Sequence, residues 1–147
     1  MSKVKVRIIN QSSNPLPEYA TDDAAGMDIR AHLETPLVLK PLERILVPTG
    51  LFIELPKGYE AQIRPRSGLA VNKGITCLNT PGTIDSDYRG EIKVILINLS
   101  DVVQQIENGA RIAQMIFQKI TIAEWQPSLE INDTSRGAGG FGHTGKS

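Results

Sequence analysis

The sequence closes on GGFGHTGKS, residues 139–147, and residues 140–147 of that run spell the phosphate-loop pattern G-x-x-x-x-G-K-[ST]. Its reading decides the fold. A phosphate loop belongs to a parallel α/β architecture, with a strand before the glycines and a helix after them whose first amides and dipole face the phosphates. Neither flank is expected here. The preceding NDTSRGA, residues 132–138, has no apolar alternation, and the sequence ends at Ser147 with no residues left for a helix. The pattern is therefore expected to be a false match, and the fold has to be read from the chain upstream.

Upstream, the apolar residues recur with the period of strands. KVKVRII (3–9) alternates with Val4, Val6 and Ile8 on one face. LVLKP (37–41), RILVPTGLFIELP (44–56), YEAQIRP (59–65), GITCL (74–78), GEIKVILINLS (90–100) and RIAQMIFQKI (111–120) are short and bounded by Pro, Gly or charge. Residues 101–107 can supply one more strand. The best helical candidate is residues 67–73, limited by Gly68 and Gly74 to a short piece. Many short strands with frequent turns predict an all-β fold, a jelly roll or distorted β-barrel. Residues 132–147 read as a flexible Gly-rich C-terminal arm beyond a β-domain at residues 1–131.

Composition narrows the function. Lys plus Arg (16) equals Asp plus Glu (16), so no overall field favours nucleic acid or an anionic membrane, and a polyanionic ligand must meet a local cluster. A nucleic-acid-binding barrel would also want a basic face with several exposed aromatics, against an aromatic content of 5%. A single cysteine, Cys77, permits no disulfide within the chain and reads as a small buried hydrophobe. With no long apolar stretch near the start, a cytoplasmic protein is expected, with neither nucleic acid nor membrane as partner.

Five stretches carry candidate chemistry. RPRSGLA (64–70) puts a cation, a hydroxyl and a glycine amide in succession at Arg66, Ser67 and Gly68, a compact grip for phosphate oxygens, though a capping serine at a surface turn explains it equally. NTPGTIDSDYRGE (79–91) reads as a hairpin between GITCL and EIKVILIN. Asp85 and Asp87 point to opposite sides of its extended chain, so one can face a pocket as a water-orienting base, while turn chemistry is the plainer reading of either. In AGMDIRA (25–31), Asp28 needs a hydrogen bond or a metal if its side is buried. In NGARIAQMIF (108–117), packing explains Ile112, Met115 and Phe117 but not Gln114. In the tail, a linker gains nothing from Phe141, whereas a flap can stack it on a base, and Arg136 beside mobile amides can clamp a terminal phosphate.

AGMDI, RPRSGLA, GTIDSDYRGE, GARIAQ and RGAGGFGHTG resemble, in order and in spacing, the five motifs of the trimeric dUTPases. The resemblance implies a jelly-roll homotrimer whose three active sites are each shared between subunits. It further implies Mg2+-dependent, metal-binding hydrolysis of dUTP to dUMP and pyrophosphate by water attack at the α-phosphorus. In nucleotide metabolism that reaction limits uracil incorporation into DNA and supplies dUMP for thymidylate synthesis. By the same resemblance, Asp85 binds the sugar 3′-hydroxyl and activates the water. Asn79, Gly82, Thr83, Ile84 and Lys93 hold the uracil edge, and Tyr88 excludes a ribose. Arg66, Ser67, Gly68 and Gln114 hold phosphates. Arg136, Phe141 and Gly142 belong to a lid, residues 132–147, closing over a neighbouring site, with His143 in it. Mg2+ is carried mainly by the triphosphate, with Asp28 reaching it through water. Competing readings are a dCTP deaminase of the same fold and a non-catalytic dUTP sensor; the TIDSDY form of the third stretch and the presence of Asp85 stand against them.

Overall fold

The computed structural model describes residues 1–145; the last two residues of the phosphate-loop pattern, Lys146 and Ser147, lie outside the described residues. Ten strands and one short helix alternate with turns: β1 Arg7–Asn10, β2 Met27–Arg30, β3 Leu37–Leu39, β4 Arg44–Glu54, β5 Tyr59–Arg64, α1 Ser67–Lys73, β6 Ile75–Cys77, β7 Gly82–Ile84, β8 Ile92–Asn98, β9 Gln104–Ile106 and β10 Arg111–Lys119. They form two four-stranded sheets, ordered β1-β4-β8-β6 and β2-β10-β5-β7, with β3 and β9 as a separate pair. Every named pairing is antiparallel.

The strands form where the sequence alternates. In β8, Ile92, Val94 and Leu96 turn inward while Lys93 faces solvent. The inward sets of both sheets share one core that includes Ile29, Val47, Leu51, Ala61, Ile63, Leu96, Ile112 and Met115. Two antiparallel sheets packed in this way are the all-β jelly roll expected from the sequence. The two fully buried polar side chains are satisfied: Thr49 Oγ1 donates to the Ile92 carbonyl at 2.5 Å, and Asn98 Nδ2 donates to the Leu39 carbonyl at 3.0 Å, while the buried Nδ1 of half-buried His32 has no partner among the described residues. Cys77 is buried, as expected, and burial pushes its thiol up to about 11 from an ordinary 9.0. A neutral, enclosed thiol is no nucleophile.

Three local expectations are refined. Val4, Val6 and Ile8 do line one face of a common concavity, yet the strand begins only at Arg7 and Ile8 stays 37% exposed. α1 spans Ser67–Lys73, but its cap is Arg66 and no side chain caps it, so Ser67 is the first helical residue and not the cap. Finally, β6 and β8 pair as the expected hairpin arms, but the stretch between them leaves that sheet: β7 pairs with β5 in the other one.

Candidate active site

Four of the five singled-out stretches lie on one sheet. β2 carries Asp28, β10 carries Gln114, β5 leads into Arg66, and β7 leads into Asp85; their order across the sheet is β2-β10-β5-β7. The register aligns Asp28, Gln114 and Arg64 on a single rung.

At that end of the sheet the side chains are tied together. Arg66 Nε donates to Asp28 Oδ1 at 3.1 Å, and Arg111 Nη1 donates to Asp28 Oδ2 at 3.2 Å. Arg66 Nη1 also donates to the Arg111 carbonyl at 3.3 Å. Gln114 Nε2 donates to the Pro65 carbonyl at 3.2 Å, fixing the backbone immediately before Arg66. Gly26 leaves room for this amide: a Cβ there would stand 2.7 Å from Gln114 Oε1. Arg30 faces Arg111 across the β2–β10 ladder and donates to the Gly109 carbonyl at 2.8 Å, while Arg64, on the Asp28–Gln114 rung, donates to Gln62 Oε1 at 2.9 Å. Two guanidiniums, those of Arg66 and Arg111, thus meet at one carboxylate, with Arg30 and Arg64 on the same sheet, a local positive cluster of the kind that a neutral chain needs for a polyanion. The Asp28 and Arg66 side chains are 31% and 27% exposed, so the pairs are reached by solvent and fix geometry more than they add stability.

Asp85 follows β7 at the far side of the sheet and is exposed. The turn after it is self-supporting: Tyr88 N donates to the Asp85 carbonyl at 3.1 Å, Tyr88 Oη donates to the Glu91 carbonyl at 2.8 Å, and Arg89 Nη1 donates to the Ser86 carbonyl at 2.7 Å. Tyr88 lies against Gly90, where a Cβ would stand 2.6 Å from Tyr88 Cζ. Among the described residues, no side-chain hydrogen bond or ion pair engages the Asp85 carboxylate. Because Ala61 pairs with Ile84 and Arg64 with Gln114, the position of Asp85 lies four rungs from the Asp28–Gln114 rung, about 13 Å along the strands at ~3.3 Å per residue. One chain therefore brings Asp28, Arg66, Arg111 and Gln114 together and holds Asp85 apart from them.

The dUTPase family model matches residues 12–145, almost the whole chain. The deoxyuridine 5′-triphosphate nucleotidohydrolase of Fusobacterium nucleatum is 55% identical over 146 residues, covering 99% of this chain and 100% of its own. The chain belongs to the dUTPase family. The namesake enzyme of Cytophaga hutchinsonii is 58% identical over 141 residues, covering 96% of this chain and 92% of its own. In fold, the dUTPase of Staphylococcus bacteriophage 80alpha, solved with dUpNHpp, superposes with a TM-score of 0.88 at 24% identity, covering 98% of this chain and 100% of that one.

The remaining dUTPase-like residues are scattered within the chain. Ser67 and Gly68 open α1, whose first hydrogen bond is Ala70 N to the Arg66 carbonyl at 3.1 Å, so the amides at its start are left for other partners. Nothing stands within 4 Å of a Cβ built on Gly68, so the space above it is open. Asn79 is exposed beside Gly82, and Thr83 faces solvent while Gly82 and Ile84 face inward. Lys93 lies on β8 of the other sheet, exposed and opposite Pro48, and joins none of these groups. In the arm, Arg136 Nε donates to the Gly139 carbonyl at 2.7 Å, Phe141 is fully exposed with φ +53, Gly142 has φ +83, and the His143 ring packs on Gly139. No hydrogen bond or ion pair joins residues 121–145 to residues 1–119 among the described residues.

Sequence reasoning passed over Arg111, Gly26 and Gly90. For Arg111 a signal existed: an Asp in a half-buried strand demands a partner, and Arg111 stands three residues before the Gln114 that was singled out.

Proposed function

We propose that the chain hydrolyses dUTP to dUMP and pyrophosphate by attack of water at the α-phosphorus. The observation that carries this reading, in a chain of the dUTPase family, is a braced cation and a free carboxylate. Arg66 is held from behind by Asp28 and keeps donors for phosphate, while Asp85 has no partner to satisfy it and is free to orient a water. Backbone groups of residues 82–84, with Asn79 and Lys93, read the uracil edge and leave no room for a thymine methyl. Tyr88, locked against Gly90, closes the space of a ribose 2′-hydroxyl. Ser67, Gly68 and Gln114 join Arg66 on the phosphates.

The active unit is a homotrimer, with each site drawn from more than one subunit. The separation of Asp85 from Arg66 supports this, since one chain cannot place both on one triphosphate in the arrangement above. So does the run of apolar side chains that the chain's own body leaves in solvent, Ile122 (80% exposed), Trp125 (91%) and Ile131 (90%). Residues 132–147 act as a lid over a neighbouring site, Arg136 on the γ-phosphate and Phe141 on the base, with Gly142 giving the backbone its turn. The lid excludes water and fixes in-line geometry.

The donor set suits Mg2+ brought by the substrate. Asp28 balances two guanidiniums; on this reading it also accepts from a metal-bound water, while the triphosphate supplies the direct oxygens for an ion that gives up water reluctantly. Bound there, the ion would neutralise phosphate charge and orient the chain of phosphates. The protein acts in the cytoplasm; no helix among the described residues is long and apolar enough to cross a membrane.

The test is pyrophosphate release with Mg2+ from dUTP, dTTP, UTP and dCTP. Release from dUTP alone is expected. Ammonia from dCTP, or binding of dUTP without turnover, would replace this reading with the deaminase or the sensor.

A further inference from the structure

We propose that Arg111 is a positioning residue for this reaction: through the Asp28 carboxylate it holds the Arg66 guanidinium with its terminal edge turned out for phosphate. The inference rests on the reading of Arg66 as the phosphate grip.

Arg66 lies in the connection between β5 and α1, outside any strand ladder, so its own backbone does little to aim a long, flexible side chain. Arg111 opens β10, which is paired on one side with β2 and on the other with β5. The two are joined twice. Asp28 offers Oδ1 to Arg66 Nε (3.1 Å) and Oδ2 to Arg111 Nη1 (3.2 Å), so each oxygen is pinned and the carboxylate cannot turn away from Arg66. The Arg111 carbonyl takes Arg66 Nη1 at 3.3 Å. A guanidinium has five N–H donors; these contacts use Nε–H and one Nη1–H, and the three left are all on the terminal nitrogens, the fork that grips two phosphate oxygens at once. The Arg111 side chain is 49% exposed, so its pair with Asp28 adds little to folding. Its value lies in aim: it lends the rigidity of a central strand to a side chain on a loop.

A brace and a plain positive charge make different predictions. If Arg111 only attracted phosphate through its charge, its removal would matter equally with or without Arg66. If it acts through Arg66, its effect disappears once Arg66 is gone. The experiment titrates a non-hydrolysable α,β-imido dUTP with Mg2+ into wild type, Arg111→Ala, Arg66→Ala and the double variant, with thermal melts alongside. Expected is a loss of affinity of roughly 10-fold for Arg111→Ala in the wild-type background and less than about 2-fold in the Arg66→Ala background, with melting unchanged, the coupling range for contacting residues. Arg111→Lys, which keeps a cation beside Asp28, is expected to recover most of the affinity. Equal losses in both backgrounds, or an Arg111→Ala protein that binds like wild type, would overturn the brace. If wild type binds no dUTP analogue, the hydrolase reading itself falls and the brace falls with it, an outcome distinct from normal wild-type binding without coupling.

Discussion

The two ends of the proposed phosphate grip are built in opposite ways. At one end of the β2-β10-β5-β7 sheet, Asp28, Arg66, Arg111 and Gln114 are cross-linked over three strands before any ligand arrives. In residues 121–145 the contacts are local turns, such as Gly139 N to the Arg136 carbonyl (3.2 Å) and His143 N to the Gly140 carbonyl (3.1 Å). The difference follows from what each region must do. Donors that meet a highly charged group act best when they need no reorganisation, so they belong on a sheet. A cover of the kind proposed for residues 132–147 must let substrate in and product out, so it would not be fastened to the same body.

This contrast can be broken experimentally, beginning with the chemistry that neither region supplies. Asp85→Asn is expected to lower kcat by about 1000-fold or more, within the range for a lost general base, while calorimetry shows dUTP-analogue affinity nearly unchanged; near-normal turnover removes Asp85 from the role. Truncation after Arg136 is expected to cost about 100-fold in kcat/KM, the scale of lost positioning, with the assembly intact by light scattering. Full activity in the truncated protein would leave the arm without a function as a lid. Gly26→Ala probes the rigid end: with a Cβ 2.7 Å from Gln114 Oε1, the amide must leave Pro65, and we expect affinity to fall about 10-fold, one lost hydrogen bond to a charged ligand system. A Gly26→Ala enzyme with wild-type KM would show that Gln114 is dispensable. The buried core, which touches neither region, offers a last test with no expected effect on affinity or turnover. Below pH 9, Cys77 should react with a thiol reagent about 100-fold more slowly than a free thiol, since its value is raised from 9.0 to about 11. The neutral form is favoured by folding, so folding stability should decline as pH rises from about 9 to about 11. Rapid labelling of the native protein at pH 8 would contradict this burial.

Much of the fold was legible because the period of two is written in β5 and in the first halves of β4 and β8, because β10 is a short apolar run between charged ends, and because the punctuation at Gly74 ended α1 where expected. β7 was not legible as a separate strand. Three residues, Gly82–Ile84, carry too little pattern to say which sheet they join, and only the pairing with β5 decides it. In the candidate site, Asp28 and Gln114 announced polar work in apolar surroundings, whereas Arg66 and Asp85, in polar turns, were marked only by the family-like motifs around them. Their mutual arrangement did not follow, because the Asp28–Arg111 contact spans 83 positions and depends on register. The wide gap between Asp85 and the Arg66 cluster was likewise invisible: stretches neighbouring in sequence order need not neighbour in space.

For the proposed lid, the lack of hydrogen bonds from residues 121–145 to residues 1–119 among the described residues has a consequence. From the last backbone bond to the body, Ile120 N to the Gly58 carbonyl, to Phe141 the chain can reach about 70 Å at ~3.3 Å per residue. That is ample to cross a subunit boundary in the proposed trimer, where the leash would keep the aromatic near its proposed target at an effective concentration on the order of millimolar. Closing of the proposed lid would then be a local event whose odds do not change as the protein is diluted, for as long as the proposed assembly stays together.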